Sequence, residues 1–482
     1  MKRTVEKIGG TSSADTKSIV TNVLIGKRQD SEFYNRVFVV SAYSGMTNLL
    51  LEHKRSGAPG VFSLFASAGN KWAGTEVLSS IVVAMQAKNA EIFDVQADRD
   101  AAGDFILERI EDSRNCLIDL QRLCAYGQFR LDENLATVKE VLSSIGEAHS
   151  AFNTALLLRQ KGVTAAFVDL TGWRDNRALT LEERMAEVFD GIDISRELPI
   201  VTGYASCPDG LVRQFGRGYT EVTFARLAAL LGADEALIHK EFHLSSADPK
   251  LVGTDKVRKI GSTSFDVADQ LSNMGMEAVH PKAAKTLRQA GIPLRVKNTF
   301  DPLYAGTVIC SDYAPDVPRA DIVTGMKGIF SLEVFDQDMV GEKRCDVAVL
   351  DALTRHYIRM VSKCSNANTI MHYVDGSRKA LKRATADIES ALPGAKVSVT
   401  RVAIVSVIGA NIDVPGITAQ ALCALHDAGV SLAGLQQVSR KTDIQAVISE
   451  DDFDSAIRAL YKVLVEDEVP RGAQARRLQP AA

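Results

Sequence analysis

The sequence predicts a two-part chain. The first part is an α/β parallel-sheet sandwich with a helical insertion, and α+β units of the order βαββαβ follow it. Three observations carry this expectation. Over residues 1–312 short β-rich apolar runs alternate with helical patterns, except between about 53 and 142, where helical patterns dominate. A segment with two prolines and several charges, YAPDVPRAD at 313–321, then reads as a linker. Beyond it the order of elements changes, and strands outnumber helices.

Taken in order, RVFVVSA (36–42) is a continuous apolar run suited to a buried parallel strand. SAFNTALLLRQKG reads as a helix stopped at Gly162, and TAAFVDL as the strand after it. FARLAALLG then EALIHKEF, and AAKTLRQAG then IPLRVKN, repeat that grammar. Each helix meets a glycine that can adopt the left-handed conformation of a helix end. Repeated βα units imply a parallel sheet with helices on both faces. The stretches from EIFDVQADRD to LQRLCAYG and LATVKEVLSSIGE lack strand signals, so 53–142 reads as an inserted helical subdomain or lid.

After the linker come MKGIFSLEVF, a helix near 345–355, YIRMVSKCS, TIMHYV, a helix over 377–392 and VSVTRVAIVSVIG, which is βαββαβ. A second pass uses VAIVSVIG again, then PGITAQALCALHDAG, VSLAGLQQVS, DIQAVIS and DDFDSAIRALYKVL. Because the passes share a strand region, interleaved units are the alternative to tandem ones. The expected bounds are 1–312, a linker at 313–321, units at 322–395 and 396–465, and a tail at 466–482. That tail lacks apolar periodicity and reads as disordered.

A chain of 482 residues is too long for one ordinary core, so two to four domains are expected. Its 56 basic and 60 acidic residues leave a charge of −4, with no basic footprint for nucleic acid and no polybasic membrane patch. A single small anion is still within reach of one Lys or Arg. Seven scattered cysteines without a CxxC pair fit reduced thiols better than a disulfide framework or a zinc ribbon. The start MKRTVEKIGGTS has no apolar run of a signal peptide, and no run approaches the roughly 18 residues of a spanning helix. A cytoplasmic protein is expected.

Several clusters could carry chemistry. EKIGGTSSAD places Lys7 at a strand end before Gly9, Gly10, Thr11 and Ser12. Backbone N–H groups there could meet phosphate oxygens with Lys7 as a mobile charge, although a strand turn with a surface lysine fits the same pattern. No GxxxxGK[ST] loop occurs. SAYSGMTNLL (41–50) would project Ser41, Thr47 and Asn48 from the carboxyl end of the buried strand, where open α/β sheets bind ligands; helix capping is the plainer use of such residues. Glu147 and His149 sit in SIGEAHS, read as a helix head, where a carboxylate could cap the helix or meet a substrate ammonium. QFGRGYTEVTFARLAALLGAD (214–234) sets Arg217 between Gly216 and Gly218, with Tyr219, Thr220 and Glu221 leading into a helix. An arginine fork beside a helix N-terminus suits a carboxylate. HKEFH (239–243) is not HExxH, though two histidines four apart on a strand share a face and leave a metal site conceivable. No Ser–His–Asp or Cys–His scheme has a supporting motif.

Taken together and in order, these clusters resemble the aspartate kinases of the amino acid kinase superfamily. Lys7-Ile-Gly-Gly-Thr-Ser matches the family's KFGGTS start, Ser41-Ala-Tyr-Ser-Gly-Met-Thr-Asn its SAMGGVTN loop, and Gly146-Glu147 its GE helix start. Phe215-Gly-Arg-Gly-Tyr-Thr-Glu stands for FGRGGSD, Ser246-Ala-Asp-Pro-Lys for TADPR, and Val279-His-Pro-Lys for LHPR. Val296-Lys-Asn-Thr-Phe with Ala305-Gly-Thr closes the catalytic domain, and the βαββαβ pair resembles two ACT domains. The likeness covers nearly the whole chain except the helical insert and the tail.

The resemblance implies ATP- and Mg²⁺-dependent phosphorylation of the β-carboxylate of L-aspartate. A carboxylate with a pKa near 4 is already ionised at neutral pH, so no general base is needed. On this reading Lys7, Gly9 and Gly10 clamp phosphate, Arg217 holds a carboxylate of aspartate and Glu147 its α-ammonium. Ser41, Thr47, Gly218, Thr220 and Glu221 complete the substrate loop; Glu241, Asp248 and Lys250 fall where the family contacts nucleotide. No residue is assigned to the metal itself, which bridges the phosphates. The resemblance further implies a homodimer or higher homo-oligomer and an amino-acid effector at the ACT units.

Four departures stand out. Tyr219-Thr220-Glu221 replaces Gly-Ser-Asp, Glu277 stands where the family has a lysine, HKEFHLSSADP is one residue short, and QQVSRKTDIQAVI lacks an SSEINIS-like polar run. The first three, with the long insert, suggest a subgroup linked to ectoine synthesis and tolerant of lysine and threonine, and the fourth suggests an altered or empty effector pocket. The rival readings are a catalytically weak ACT-type amino-acid sensor and another carboxylate kinase, acting on glutamate or N-acetylglutamate.

Overall fold

The computed structural model describes residues 2–10, 15–54, 56–67, 73–276, 278–340 and 342–466, with 73–75 as backbone alone. Thr11, Ser12, Glu277 and the tail from 467 onward lie outside the described residues.

The chain begins with β1 (Thr4–Ile8), a short α1 (Thr16–Ile19), β2 (Arg36–Val40), α2 (Met46–Leu50) and α3 (Val61–Ala66). Three long helices follow, α4 (Ala73–Ile92), α5 (Gln96–Ala125) and α6 (Leu131–Gln160). The α/β alternation resumes with β3 (Ala165–Val168), α7 (Leu181–Phe189), β4 (Leu198–Thr202), α8 (Leu211–Phe215), α9 (Tyr219–Leu230) and β5 (Glu235–Lys240). After α10 (Pro249–Val252), β6 (Ser262–Ser264) and α11 (Phe265–Asn273) come α12 (Pro281–Gln289), β7 (Leu294–Asn298) and β8 (Thr307–Cys310).

Two compact units result, Met1–His243 with Val279–Ser311, and Leu244–Ala278 with Asp312–Ala482. This division differs from the expected 1–312: α10, β6 and α11 pack with the C-terminal unit. There, Val267, Leu271 and Met274 join a core with Ile322, Ile404 and Val447. A continuous run of βα grammar does not by itself say which core a segment enters.

In the first unit the strands run β3-β4-β2-β1-β5-β7-β8, parallel except β8. Ile8 pairs with both Val40 and His239, and Val40 with Thr202, so β1, β2, β4 and β5 end together. Every residue of β2 and β4 is buried, as a sheet covered on both faces requires. The glycines expected to stop helices do so, with positive φ at Gly162, Gly232 and Gly291. The described residues of 53–142 are mainly helical, and Leu78, Ile81, Met85, Ile106, Ile110 and Leu142 share one core with Tyr43, Met46, Leu50 and Ile145. The last helix of that region does not end at the insertion boundary, because α6 runs unbroken into the α/β sandwich.

In the second unit β9 (Ile322–Phe335), α13 (Arg344–Arg355), β10 (Arg359–Ser365), β11 (Thr369–Asp375), α14 (Arg378–Ala391) and β12 (Lys396–Ile408) form one βαββαβ pass. The pass continues with α15 (Ile417–Asp427), β13 (Leu432–Gln437), β14 (Asp443–Ile448) and α16 (Phe453–Tyr461). All six long strands form one antiparallel sheet, β10-β11-β9-β12-β14-β13.

Two strands are each used twice. The second half of β9 pairs β11 and the first half of β12, whereas Ile322 to Met326 pairs Ile404 to Ile408 beside β14. Gly328 at φ 77° and a register shift between Val402 and Ile404 mark the division. The α13 and α14 side is filled by Leu332, Val334, Val349 and Ile388, and the α15 and α16 side by Val405, Ile444, Leu425 and Ile457. Thus β9, which precedes the first set of helices in sequence, supplies an outer strand to the second set.

Gly325 is what lets β9 approach β12 this closely. A Cβ there would lie 2.3 Å from the Ile404 carbonyl oxygen and 2.7 Å from the Phe453 ring. Gly325→Ala is expected to destabilise this unit by about 1–3 kcal/mol through overpacking. The check is a lowered urea midpoint with an unchanged slope. Among the described residues no helix is long and apolar enough to cross a membrane.

Candidate active site

At the carboxyl ends of β1 and β5 two lysines converge on one carboxylate. Lys7 Nζ lies 3.0 Å and Lys240 Nζ 3.9 Å from Glu221 Oε1. Glu221 Oε2 accepts the His280 backbone N–H at 2.5 Å. Lys7 is therefore not a surface lysine: it is 8 % exposed. Burial by itself would raise the Glu221 pKa, but the two ammonium charges outweigh it and hold the group at about 2. Glu221, expected at the substrate loop, is thus the fixed anion that aims both lysines. Lys240 carried a signal that was passed over, a charged residue closing a buried strand.

Gly9 and Gly10 follow β1 at the same end of the sheet. A Cβ on Gly10 would sit 2.8 Å from the Ala42 carbonyl oxygen, so the loop after β1 lies directly on the loop after β2. Gly218 is equally constrained, because a Cβ there would fall 2.3 Å from the His280 ring.

Glu147 requires a correction. It is not at the head of a helix: α6 begins at Leu131, and Glu147 sits in its middle, 2 % exposed. Gly146 suggested a start but serves close packing, since a Cβ there would lie 2.9 Å from the Ala42 Cβ. A role in capping the N-terminus of α6 is therefore ruled out. Thr220 Oγ1 donates to Glu147 Oε1 at 2.7 Å, and Tyr219 bears on the same carboxylate. Burial dominates these contacts and pushes the Glu147 pKa up to about 8. His149, two residues further along α6, hydrogen-bonds Asn89 at 2.6 Å and packs edge-on against Tyr43; burial lowers its pKa to about 3, and it serves as a core residue.

Tyr219 does not occupy a tight turn. Gly216–Gly218 is a short 3₁₀ turn, and Tyr219 is the first residue of α9, 2 % exposed, with its ring edge-on to Tyr204 at 5.8 Å. It thus packs beneath the loop.

Arg217 is half-buried and donates to Asn48 Oδ1 at 2.6 Å and to the Glu52 carbonyl oxygen. The SAYSGMTN loop and the FGRG loop are therefore joined in this structure, a pairing sequence spacing could not show. Ser41 contributes its carbonyl, which accepts from Ser150 Oγ at 2.8 Å, and Thr47 is half-buried in the first turn of α2.

The remaining expected residues lie elsewhere. Glu241 is exposed just past β5. Asp248 and Lys250 belong to the second unit and are exposed; the Asp248 carboxylate caps α10 by accepting the Lys250 backbone N–H at 2.9 Å. The two histidines of HKEFH have separate partners, which removes the conceivable metal pair. His239 bonds Glu6 at 2.8 Å, and His243 bonds Asp301 at 3.1 Å. Arg36 meets Glu6 at 2.7 Å, so Glu6, Arg36 and His239 form a buried polar knot across β1, β2 and β5. Among the described residues no group of three or more His, Cys, Asp or Glu is placed to hold a metal ion.

The strand ends of a covered parallel sheet thus gather two lysines and two buried carboxylates, with a glycine-flanked arginine on the adjoining loop. Residues 2–298 match the amino acid kinase family and residues 397–462 an ACT domain; the chain belongs to the amino acid kinase family. It is 51% identical over 465 residues, 96% of this chain and 98% of the relative, to aspartate kinase Ask_Ect of Stutzerimonas stutzeri (strain A1501). It is 25% identical to the aspartokinase of Schizosaccharomyces pombe over 71% of this chain and 73% of the relative. Among solved structures, E. coli aspartokinase III in complex with lysine and aspartate (T-state) shares the fold. Its TM-score is 0.73 at 20% identity, over 97% of this chain and 100% of that one.

Proposed function

We infer that this chain is an aspartate kinase, transferring a phosphoryl group from ATP to the β-carboxylate of L-aspartate to give 4-phospho-L-aspartate and ADP. The observation that carries the reading is the 51% identity to aspartate kinase Ask_Ect over nearly the full length of both chains. The same relative supports assignment to the ectoine-linked subgroup.

The chemistry suits the residues. The nucleophile is an ionised carboxylate, so catalysis reduces to in-line placement and relief of repulsion between two anions. Lys7, with Lys240 beside it, meets the phosphates together with the Gly9 and Gly10 amides. Mg²⁺ travels on the triphosphate and cancels part of its charge; no ligand cage of protein side chains is required for that role. Arg217 takes a carboxylate of aspartate, Glu147 its α-ammonium, and Ser41, Thr47 and Thr220 orient the reacting end. Glu241, and in the second unit Asp248 and Lys250, are the proposed nucleotide contacts. The catalytic span is 1–312, the protein works in the cytoplasm as a homodimer or higher homo-oligomer, and the ACT units take an amino-acid effector.

The test is acyl phosphate formation trapped by hydroxylamine. Aspartate hydroxamate is expected with aspartate and Mg-ATP, not with glutamate or N-acetylglutamate, and little changed by lysine or threonine. Tight amino-acid binding without any hydroxamate would make the chain a sensor and refute the kinase. Strong inhibition by lysine and by threonine singly would refute the subgroup alone.

A further inference from the structure

A cleft of about 420 Å³ opens in the first unit between α5, α6 and the loops that follow β3 and β4. None of the proposed site residues lines it. Its wall includes Cys116, Trp173, Cys207, Asp209 and Arg213. Two acids in the wall are already engaged: Asp112 pairs with Arg174 at 2.7 Å, and Glu140 accepts the backbone N–H groups of Val212 and Arg213 at 3.1 and 2.8 Å. Arg213 and Asp209 are both exposed, and among the described residues neither has an ion-pair partner. One free cation and one free anion therefore face a space of small-molecule size, with an indole beside them.

The cleft is tied to the active site by three shared pieces. α6 carries Glu140 in the cleft wall and Glu147 two turns further on. α8, whose first turn Glu140 holds, runs directly into the Gly216–Gly218 turn that carries Arg217. Tyr204 lines the cleft and packs against Tyr219, which bears on Glu147.

We propose that this cleft binds a small zwitterion of the α-amino-acid class, with its carboxylate on Arg213, its ammonium on Asp209 and its side chain against Trp173. Occupancy braces α8 and so bears on the Arg217 loop. The site is separate from the ACT units and from the aspartate site.

Cys116 and Cys207 make the cleft report on itself, because both thiols line it. The experiment is alkylation by iodoacetamide on the full chain, read by peptide mass spectrometry, with L-leucine, L-glutamine, L-lysine, acetate or methylammonium present, and with L-aspartate in a separate arm. At least one amino acid is expected to slow both thiols, by about tenfold at ten times its Kd, while acetate and methylammonium do not. The exposed Cys423 of the second unit serves as the internal control. Arg213→Gln and Asp209→Asn are each expected to abolish protection and leave turnover without effector unchanged.

No protection by any of the three amino acids overturns the proposal. So does protection that persists in both variants, or protection by aspartate that vanishes in Glu147→Gln, which would make the cleft an annex of the substrate site. The thiol readout needs neither ATP nor catalysis, so it stands or falls apart from the kinase reading. The consequence of occupancy for the Arg217 loop rests on that reading.

Discussion

Lys7→Ala is expected to lower kcat by roughly 10²–10³, the usual loss when one preorganised charge aimed at a transferring group is removed. Lys7 is fixed by Glu221 at 3.0 Å, nearly out of solvent, at the end of a strand paired on both sides. An ammonium held so firmly need not reorganise when charge moves onto the leaving ADP. The substitution also strips Glu221 of its nearer cation and leaves Lys240 and the His280 N–H to hold it. A stability loss is therefore expected as well, of about 3 kcal/mol by analogy with other broken buried pairs. Lys7→Ala/Glu221→Gln separates the two effects. Removing the orphaned charge should restore most of the melting temperature and none of the turnover. If the double variant recovered kcat, or the single variant turned over normally while folded, Lys7 would be a structural partner of Glu221 and nothing more.

The parallel sheet was legible because its strands are short buried runs and its helices end at glycines that do take positive φ, as at Gly162, Gly232 and Gly291. The Lys7 strand end and the Arg217 turn stood out because they punctuate a regular pattern, whereas Lys240, closing β5, did not. What escaped was set by packing between distant segments. Gly146 looked like a boundary and is instead a contact with Ala42, so a helix of thirty residues was divided in two. Glu221 looked like a ligand for substrate, but the lysines that claim it lie 214 residues before it and 19 after it. Residues 244–278 continue the βα grammar, yet Val267 and Leu271 face the core of the second unit. A shared strand was readable from the repeat, whereas the return of β9 as an outer strand of the second set depends on a pairing across the whole sheet.

The two buried carboxylates of the site titrate in opposite senses, and the larger consequence falls on Glu147. Its pKa is raised by burial from 4.5 to about 8, so the ligand-free enzyme holds a proton there at neutral pH. An ammonium can pair with it only after that proton leaves. Aspartate KM is therefore expected to fall as pH rises from 6 towards 8 and then to level. Glu147→Gln should remove the trend and raise KM about thirtyfold or more, since truncating one partner of a buried charge pair costs about 2 kcal/mol or more.

Stability of the ligand-free protein carries the same signature. A raised carboxyl pKa gives stability that is present below 4.5 and lost as pH rises through about 8. The lowered pKa of Glu221 gives stability that is present above 4.5 and lost as pH falls towards about 2. Saturating aspartate should cancel the alkaline loss in the wild type and leave Glu147→Gln unaffected, as read by melting temperature at pH 6 and pH 8.5. An aspartate KM that is flat across this range in the wild type, or that shifts equally in Glu147→Gln, would remove Glu147 from the ammonium site and leave it as the buried acceptor of Thr220.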